Sequence, residues 1–330
     1  MAVTQIADVV VPTEFTAFLV ENVATKAALV QSGLMARNAA IDAQLKAGAD
    51  SFSVPFWRDL SDDAADLAND NPASIATPRK LGSGKQLIRK AFLHAGWSAM
   101  NLASELSGSN ALTRIQERVD AYWTRELQRR LIASLNGILA DNAANDGGDM
   151  IIDISGAAGT AANFSAGAVI DAAATLGDSL RDLTTIGLHS SVYKAALKSD
   201  LIQTVPASQG GFIQTFRGLA ILIDDELPLA AGVYTSVLFG AGAFGFGVSQ
   251  PRVSAGTEIE SVPGAGNGGG QQILHSRVNL AVHPAGFQWR EASVAGESPS
   301  VAELAMAANW DRVAGSRKHV QISALKHKLP

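Results

Sequence analysis

The sequence predicts an α+β fold, in which helices and strands are interspersed without regular alternation. The strongest helical signal is the segment 111–139, whose apolar residues recur at steps of three and four. Strand patterns occur before it, at 51–60, and after it, at 234–247. Regular alternation is typical of a doubly wound nucleotide-binding sheet, so its absence favours α+β.

The first predicted element is an amphipathic helix over 12–36, which Gly33 closes as a C-cap. Its apolar positions are Phe15, Phe18, Leu19, Val23, Ala27 and Val30. Two interpretations stay open. The helix packs on its own core, or it forms an N-terminal arm on an adjacent subunit.

A two-stranded ribbon is predicted next, from 51–60 and its partner 85–98. The polar stretch between them is too long for a tight turn and too poor in large apolar residues to form a core. Because an isolated ribbon is marginal in water, we expect it to rest on another structure, such as a neighbouring subunit.

We call the polar stretch between the two strands the excursion. Charges along it and along the start of the second strand are segregated. The first half carries Asp59, Asp62, Asp63, Asp66 and Asp70, and the second half carries Arg79, Lys80, Lys85, Arg89 and Lys90. The pattern fits a solvated loop with local ion pairs, or head-to-tail complementarity between neighbouring arms, which sets register. In the second case, reversing Lys85, Arg89 and Lys90 to Glu should impair assembly and leave the subunit folded.

The long helix is predicted to begin after Ser109 or Asn110 and to extend about 45 Å. The segment 141–149, DNAANDGGD, should break the helix and mark a domain boundary. The remaining predicted elements are a helical stripe over 169–183, a helix at 192–201, a buried strand at 234–247, a flexible loop at 262–270, two strands within 277–290, a short helix within 298–310 and a final strand at 319–325.

Composition excludes several classes of protein. The 330 residues carry a net charge of −5 and only 17% charged residues, so there is no strongly basic domain for binding nucleic acid. The absence of cysteine excludes disulfides and thiolate chemistry. No apolar run is long enough for a membrane span, and the start lacks the basic flank of a signal peptide. Few aromatics, 6%, predict modest stability for the subunit alone.

Apparent cofactor and catalytic motifs lack their structural context. Gly240, Gly242 and Gly245 match GxGxxG after a strand, but no helix pattern follows that could receive a pyrophosphate. The GSGK at 82–85 lacks the first glycine and the hydroxyl residue of a phosphate loop. The six histidines lack zinc-site spacing, and His189 is interpreted as structural.

The acidic triplet Asp224, Asp225 and Glu226 is interpreted mainly as a polar strand exit before Pro228. A cation bridging subunits there remains a lesser hypothesis. The sequence therefore predicts no catalytic, cofactor-binding or metal-binding residues.

An ordered set of segments resembles the major capsid proteins of tailed bacteriophages across nearly the whole chain. These segments are PFW at 55–57, the helix AYWTRELQRRLIASLNGIL at 121–139, HSSVY at 189–193, ILIDDELP at 221–228 and LFGAGAFGFG at 238–247. The resemblance implies the shell fold that these phages share with herpesviruses, with an N-terminal arm, an extended hairpin loop, a long spine helix, and peripheral and axial domains.

By this resemblance the chain divides into an N-terminal arm (1–47), an extended loop (48–98), a peripheral domain with the spine helix (99–145), an axial domain (146–270), a second peripheral part (271–310) and a C-terminal strand (311–330). The residues proposed to lie at subunit interfaces are Phe15, Phe18, Trp57, Arg58, Asp59, Asp62, Asp63, Lys80, Lys85, Arg89 and Lys90.

The implied function is self-assembly into an icosahedral shell that encloses phage double-stranded DNA without sequence-specific binding. The implied partners are further copies of the chain, in pentamers and hexamers, with a portal, a decoration protein and either a separate scaffolding protein or none, and no membrane. Because the arm begins almost at Met1, we expect no maturation cleavage, and we expect non-covalent assembly. The expected location is the virion capsid, assembled in the host bacterial cytoplasm. An encapsulin-like compartment and, resting only on GAGAFG, an NAD-dependent enzyme are the alternatives.

Overall fold

The computed structural model describes residues 28–31, 35–60, 64–68, 70–73, 75, 78–206 and 212–329. Most of the helix predicted over 12–36, including Phe15, Phe18 and Gly33, lies outside the described residues. Within the described part, a short helix at Ala28–Gln31 falls inside that prediction, and Met35–Arg37 is a strand.

Seven α-helices are found in the described part of the chain, and none is long and apolar enough to cross a membrane. They are α1 (Ala28–Gln31), α2 (Ala39–Leu45), α3 (Asn101–Ser107), α4 (Ala111–Asn145), α5 (Ala166–Ala174), α6 (Ser190–Lys198) and α7 (Val301–Leu304).

The strands are β1 (Met35–Arg37), β2 (Ser51–Trp57), β3 (Ser83–Arg89), β4 (Ala91–Met100), β5 (Ile151–Asp153), β6 (Leu183–Leu188), β7 (Gln203–Pro206), β8 (Phe212–Phe216), β9 (Leu219–Ile223), β10 (Leu229–Ala230), β11 (Val233–Gly240), β12 (Phe244–Ser249), β13 (Thr257–Val262), β14 (Gln271–Pro284), β15 (Phe287–Trp289), β16 (Trp310–Arg312) and β17 (Ile322–His327). The predicted strands at 51–60, within 277–290 and at 319–325 are confirmed to within a few residues.

Helix α4 is longer than the sequence predicts. It begins where Asn110 accepts a hydrogen bond from the Thr113 amide, 3.2 Å, and its 35 residues span about 52 Å. The segment predicted to break it stays helical to Asn145, and the chain turns at Gly147 and Gly148, both with positive φ. Asn142 stabilises this end, because its side-chain oxygen accepts from the Met150 amide at 3.0 Å.

A five-stranded sheet packs against α4 and is organised around the long strand β14. One edge of β14 pairs with β12 and then β13, the other edge pairs with β4, and β1 adds to β12. The boundary predicted at 270/271, between the axial domain and the second peripheral part, therefore falls within one sheet, since β12 and β13 pair with β14. Local sequence gives the strands but not their partners, which are set by tertiary packing.

An eight-stranded sheet has the order β5-β17-β11-β6-β9-β8-β7, with β10 paired to β11. The C-terminal strand β17 lies inside this sheet, between β5 and β11, and not apart from it. Helices α5 and α6 contribute to its core, where Val169, Ile186, Val192, Phe216 and Leu325 are buried.

The helical stripe predicted over 169–183 is wrong in its second half. Helix α5 ends at Ala174, a 3₁₀ turn covers Gly177–Asp182, and β6 begins at Leu183. Gly177 takes φ +62°, which breaks the helical path. The apolar residues beyond it serve a strand, and spacing over so short a run does not distinguish the two.

Candidate assembly surface

The ribbon of β2 and β3 is anchored at one end and exposed at the other. Its register places Phe52 opposite Ile88 and Trp57 opposite Ser83. Phe52 and Ile88 are buried in a cluster with Ile41 and Leu45 of α2. The alternation of side chains along the strands thus holds the base of the ribbon on the body of the protein.

Beyond the base, the ribbon and its excursion present large apolar side chains to solvent. Trp57 is 74% exposed, and Leu60, Leu67 and Ile75 are 69%, 91% and 88% exposed. The described part of the excursion between β2 and β3 contains no helix or strand. Exposed apolar side chains gathered on one extension are characteristic of a protein contact surface.

The predicted interface charges at this end are exposed. The Arg58 side chain lies near Gly82, and Asp59 accepts a hydrogen bond from the Leu60 amide, 2.8 Å. Lys80 and Lys85 are exposed and have no carboxylate partner within the described residues. Four further candidates, Phe15, Phe18, Asp62 and Asp63, lie outside the described residues.

Arg89 serves its own chain. Its Nη1 contacts the carboxylates of Asp50 and Glu291, each at 2.7 Å, and its Nη2 donates to the Glu297 carbonyl, 2.9 Å. Burial of the Asp50 carboxyl acts to raise its pKa. The Arg89 charge and the hydrogen bonds at Asp50 and Ser51 outweigh this effect and lower the pKa of Asp50 below its usual value. Arg89 therefore ties the base of the ribbon to the loop before α7.

The assignment of Lys90 to a subunit interface is wrong, because this side chain is buried in its own chain. It is 0% exposed, its Nζ donates to the Ala47 carbonyl at 2.8 Å, and Nζ lies 5.8 Å from the centre of the Phe52 ring. Burial lowers the pKa of Lys90, and the Asp50 charge opposes this shift. The sequence suggested exposure because lysine is almost never fully buried unless it is paired.

A buried polar junction, which the sequence analysis did not identify, joins α4 to the strand exit at 224–226. Gln128 of α4 is 0% exposed. Its amide nitrogen donates to Asp224 at 2.8 Å and to Glu226 at 3.0 Å, and its oxygen accepts from the Leu29 amide at 3.2 Å. The sequence feature that could have identified this junction is a glutamine next to Leu127, on the apolar face of α4 that includes Leu131.

The same contacts account for the acidic triplet. Burial raises the pKa of Asp224, with the Glu226 charge acting in the same direction. Asp225 accepts from the Ser190 amide, 3.0 Å, at the start of α6. Across the described residues, no group of three His, Asp or Glu side chains is arranged to hold a metal ion.

The GxGxxG glycines serve chain packing. Gly240 ends β11, Gly242 lies in a turn at φ +73°, and Gly245 lies in β12. A Cβ at Gly240 would come within 2.6 Å of Gln321. A strand follows the motif where a dinucleotide site needs a helix N-terminus, so this motif does not support the enzyme alternative. His189 accepts from the Ser191 amide at 3.1 Å, which supports its structural role.

Comparisons with known proteins indicate one family. The family model of Gp13-like proteins, described as major capsid protein 13-like, matches residues 110–321. The major capsid protein of Bacillus phage SPP1 is 35% identical over 337 residues, which cover 100% of this chain and 99% of that protein.

Solved capsid structures have the same fold at low sequence identity. The capsid of Ralstonia phage GP4 gives a TM-score of 0.59 at 8% identity, over 97% of this chain and 95% of that one. The capsid of the native GTA particle gives 0.56 at 14% identity, over 96% and 95%. The predicted α+β capsid fold is confirmed. With the family model and the full-length relative, these findings establish that the chain belongs to the Gp13-like family of major capsid proteins.

Proposed function

We propose that this major capsid protein self-assembles, as pentamers and hexamers, into an icosahedral shell that encloses phage double-stranded DNA in the virion. The similarity to the SPP1 capsid protein along the full length of both chains is the observation that carries the proposal. The net charge of −5 fits a wall that contains DNA without sequence-specific binding. The shell assembles in the host bacterial cytoplasm with a separate scaffolding protein, and it acquires a portal and a decoration protein.

The exposed end of the ribbon supplies one of the subunit contacts. Trp57, at 74% exposure, is the largest apolar side chain left in solvent there. Burying an aromatic side chain of this kind against a neighbour contributes about 2 kcal/mol. Trp57, Arg58, Asp59, Lys80 and Lys85 are the described interface candidates that remain available to a second copy.

The domain roles are part of the same proposal. The eight-stranded sheet forms the axial part around the five- and six-fold axes, and α4 with the five-stranded sheet forms the peripheral part. The extended loop corresponds to the ribbon and its excursion.

The test is electron microscopy of the chain expressed alone and with its neighbouring phage genes, after size-exclusion chromatography. Closed shells containing nuclease-resistant DNA, in the presence of the phage genes, are the expected result. Shells that contain only a protein cargo would indicate an encapsulin-like compartment, and small discrete oligomers under both conditions would refute a shell subunit.

A matched pair of variants tests the ribbon. Trp57→Ala should lower the yield of shells and leave the folded subunit unchanged by circular dichroism. Ile170→Ala removes a side chain that is 54% exposed on α5, away from the ribbon, and should assemble normally. Equal yields from the two variants would contradict the role of Trp57.

A further inference from the structure

Two histidines from different strands meet on the face of the five-stranded sheet opposite α4. Trp123 of α4 donates to Ser276 at 2.9 Å, so His275, the preceding residue of β14, faces away from the helix. His94 lies on the neighbouring strand β4, and its Nε2 is 3.0 Å from the Nδ1 of His275. We call these two residues the histidine pair. They are 181 positions apart in the sequence, so the local spacing of histidines does not reveal them.

The two rings of the histidine pair meet at their nitrogen edges. Their centroids are 5.3 Å apart, much farther than the facing nitrogens, and their planes are inclined by 29°. Two imidazole nitrogens bound to one tetrahedral zinc ion, each at about 2.0–2.1 Å, lie roughly 3.4 Å from one another. Small rotations of the two side chains therefore suffice to admit an ion between them.

Glu260 of β13 determines which nitrogen of His275 carries the proton. Its Oε2 lies 3.0 Å from His275 Nε2, and an ionised carboxylate only accepts hydrogen bonds. The neutral ring of His275 is therefore protonated on Nε2, and its Nδ1 presents a lone pair to His94. A carboxylate bound to the far nitrogen of a histidine orients metal-binding imidazoles and raises their basicity.

The surroundings of His94 favour its neutral form, which is the form that binds a metal. Burial, chiefly, lowers the pKa of His94, and the charges of His275 and Arg277 act in the same direction. Arg277 forms an ion pair with Glu258 at 2.9 Å. The nearby cation is therefore compensated, and its repulsion of a metal ion is reduced.

The histidine pair is accessible from solvent. The His94 side chain is exposed, and the His275 side chain is 22% exposed. Gly96 lies opposite His275 on β4, where a Cβ would come within 3.5 Å of His94 and 3.7 Å of His275. A glycine at this position leaves the rings uncovered on that side.

We propose that the histidine pair binds a divalent transition metal such as zinc, with Glu260 as the positioning residue of His275. The inference goes beyond the proposed function and does not depend on it. Imidazole nitrogen suits zinc, copper and nickel, whereas magnesium and calcium prefer oxygen. Glu260 contacts the nitrogen that faces away from His94, so the site has two protein ligands and water completes the coordination. Its affinity is therefore lower than that of a structural site with four protein ligands.

An ion held by both rings links β4 to β14 through their side chains. The two residues are brought together only by the folded sheet, so the metal binds the folded chain in preference to the unfolded one. Zinc should therefore raise the thermal midpoint of the unassembled subunit. The His94→Gln, His275→Gln double variant should lose this shift.

The first test is isothermal titration calorimetry of the untagged, full-length, unassembled chain with zinc chloride. We expect one zinc ion per chain, and no binding of magnesium or calcium at the same concentrations. His94→Gln and His275→Gln should each weaken zinc binding by at least about tenfold. The matched control is His319→Gln, which removes an exposed histidine from another part of the chain and should bind zinc like the unmodified chain.

The second test distinguishes the ligands from the positioning residue. Glu260→Gln should weaken zinc binding by about 10- to 100-fold and leave the thermal midpoint without metal unchanged, because the Glu260 side chain is 56% exposed. Glu117→Gln, which changes an equally exposed carboxylate of α4, should leave the affinity unchanged. Electron paramagnetic resonance with copper(II) should show two coordinated imidazole nitrogens in the unmodified chain and one in either histidine variant.

The outcomes separate this site from the proposed function. Absence of zinc binding by the folded chain at millimolar zinc would refute the site, and so would zinc binding that persists in the double variant or that calcium matches. Equal zinc affinities of Glu260→Gln and the unmodified chain would refute the role of Glu260. Shells formed by a chain that binds no zinc would overturn this inference and leave the shell function intact.

Discussion

Lys90→Glu is expected to destabilise the subunit strongly, whereas Lys85→Glu is expected to leave its stability unchanged. The Lys90 side chain is 0% exposed, and its Nζ donates to the Ala47 carbonyl at 2.8 Å. A glutamate there would place a carboxylate against a carbonyl oxygen and near the charge of Asp50. An uncompensated buried charge of this kind costs about 3–5 kcal/mol. Lys85 is exposed, and surface substitutions usually change stability by less than about 0.5 kcal/mol.

A third variant separates charge from packing. Lys90→Met keeps an aliphatic side chain of similar length and loses the hydrogen bond to Ala47, which should cost about 2 kcal/mol. Urea denaturation of the unassembled subunit, followed by far-ultraviolet circular dichroism, measures all three. The expected urea midpoints decrease from Lys85→Glu to Lys90→Met to Lys90→Glu. The unmodified chain should have the same midpoint as Lys85→Glu.

A Lys90→Glu subunit as stable as the unmodified chain, but unable to assemble, would refute this reasoning and return Lys90 to the subunit interface. The structure also changes the expected outcome of reversing Lys85, Arg89 and Lys90 together. Two of these three residues hold the base of the ribbon in place. The triple variant should therefore fail by misfolding and not by loss of contacts between subunits.

Three further predictions concern α4. Gly137→Ala should destabilise the subunit by about 2–4 kcal/mol in the same urea assay, because the new Cβ would lie 2.2 Å from the Leu304 carbonyl oxygen and 2.4 Å from Trp310 Nε1. The control is Gly167→Ala in α5, where the new Cβ meets nothing nearer than 4.0 Å and should not destabilise the subunit. Asp141→Asn should stabilise the subunit at pH 7 by on the order of 1 kcal/mol, because burial, chiefly, raises the pKa of the Asp141 carboxyl. A carboxyl whose pKa is raised in the folded state stabilises the fold below its unfolded pKa, and this contribution is lost as the pH rises through the folded pKa. A gain from Asp141→Asn that does not shrink toward pH 4 would therefore contradict the assignment. Gln128→Leu should lower the free energy of unfolding by about 2–4 kcal/mol at pH 7, because Asp224 and Glu226 lose a shared hydrogen-bond donor. The loss should be smaller at pH 4, because the raised pKa of Asp224 favours its neutral form there. Equal losses at both pH values would show that the junction acts by packing alone.

Local patterns predicted much of the secondary structure, but the single strand predicted over 234–247 is two strands, β11 and β12, which lie in different sheets. The spacing of apolar residues predicted α4, since tertiary contacts did not override its amphipathic stripe. Alternation predicted β2, but only the first part of the partner predicted at 85–98 pairs with it, as β3. The rest is β4, which pairs with β14. Patterns failed where the chain changes from helix to strand within a few residues, as between α5 and β6, because both structures use the same apolar residues over such short runs.

The sequence by itself determined that this chain has a capsid fold, with a ribbon extended from its body and charge segregated along the excursion. Only the tertiary structure decided which charges are available to a neighbour. Lys80, Lys85 and Lys90 look alike in the sequence, but the pairing of β2 with β3 and their packing on α2 bury Lys90 and leave the other two in solvent. The groove lined by 45–49, 92–94 and 251–254 likewise brings together Lys46 and Arg252, which are far apart in sequence. Burial and proximity of this kind arise from strand partners and packing between distant segments, which a local pattern does not encode.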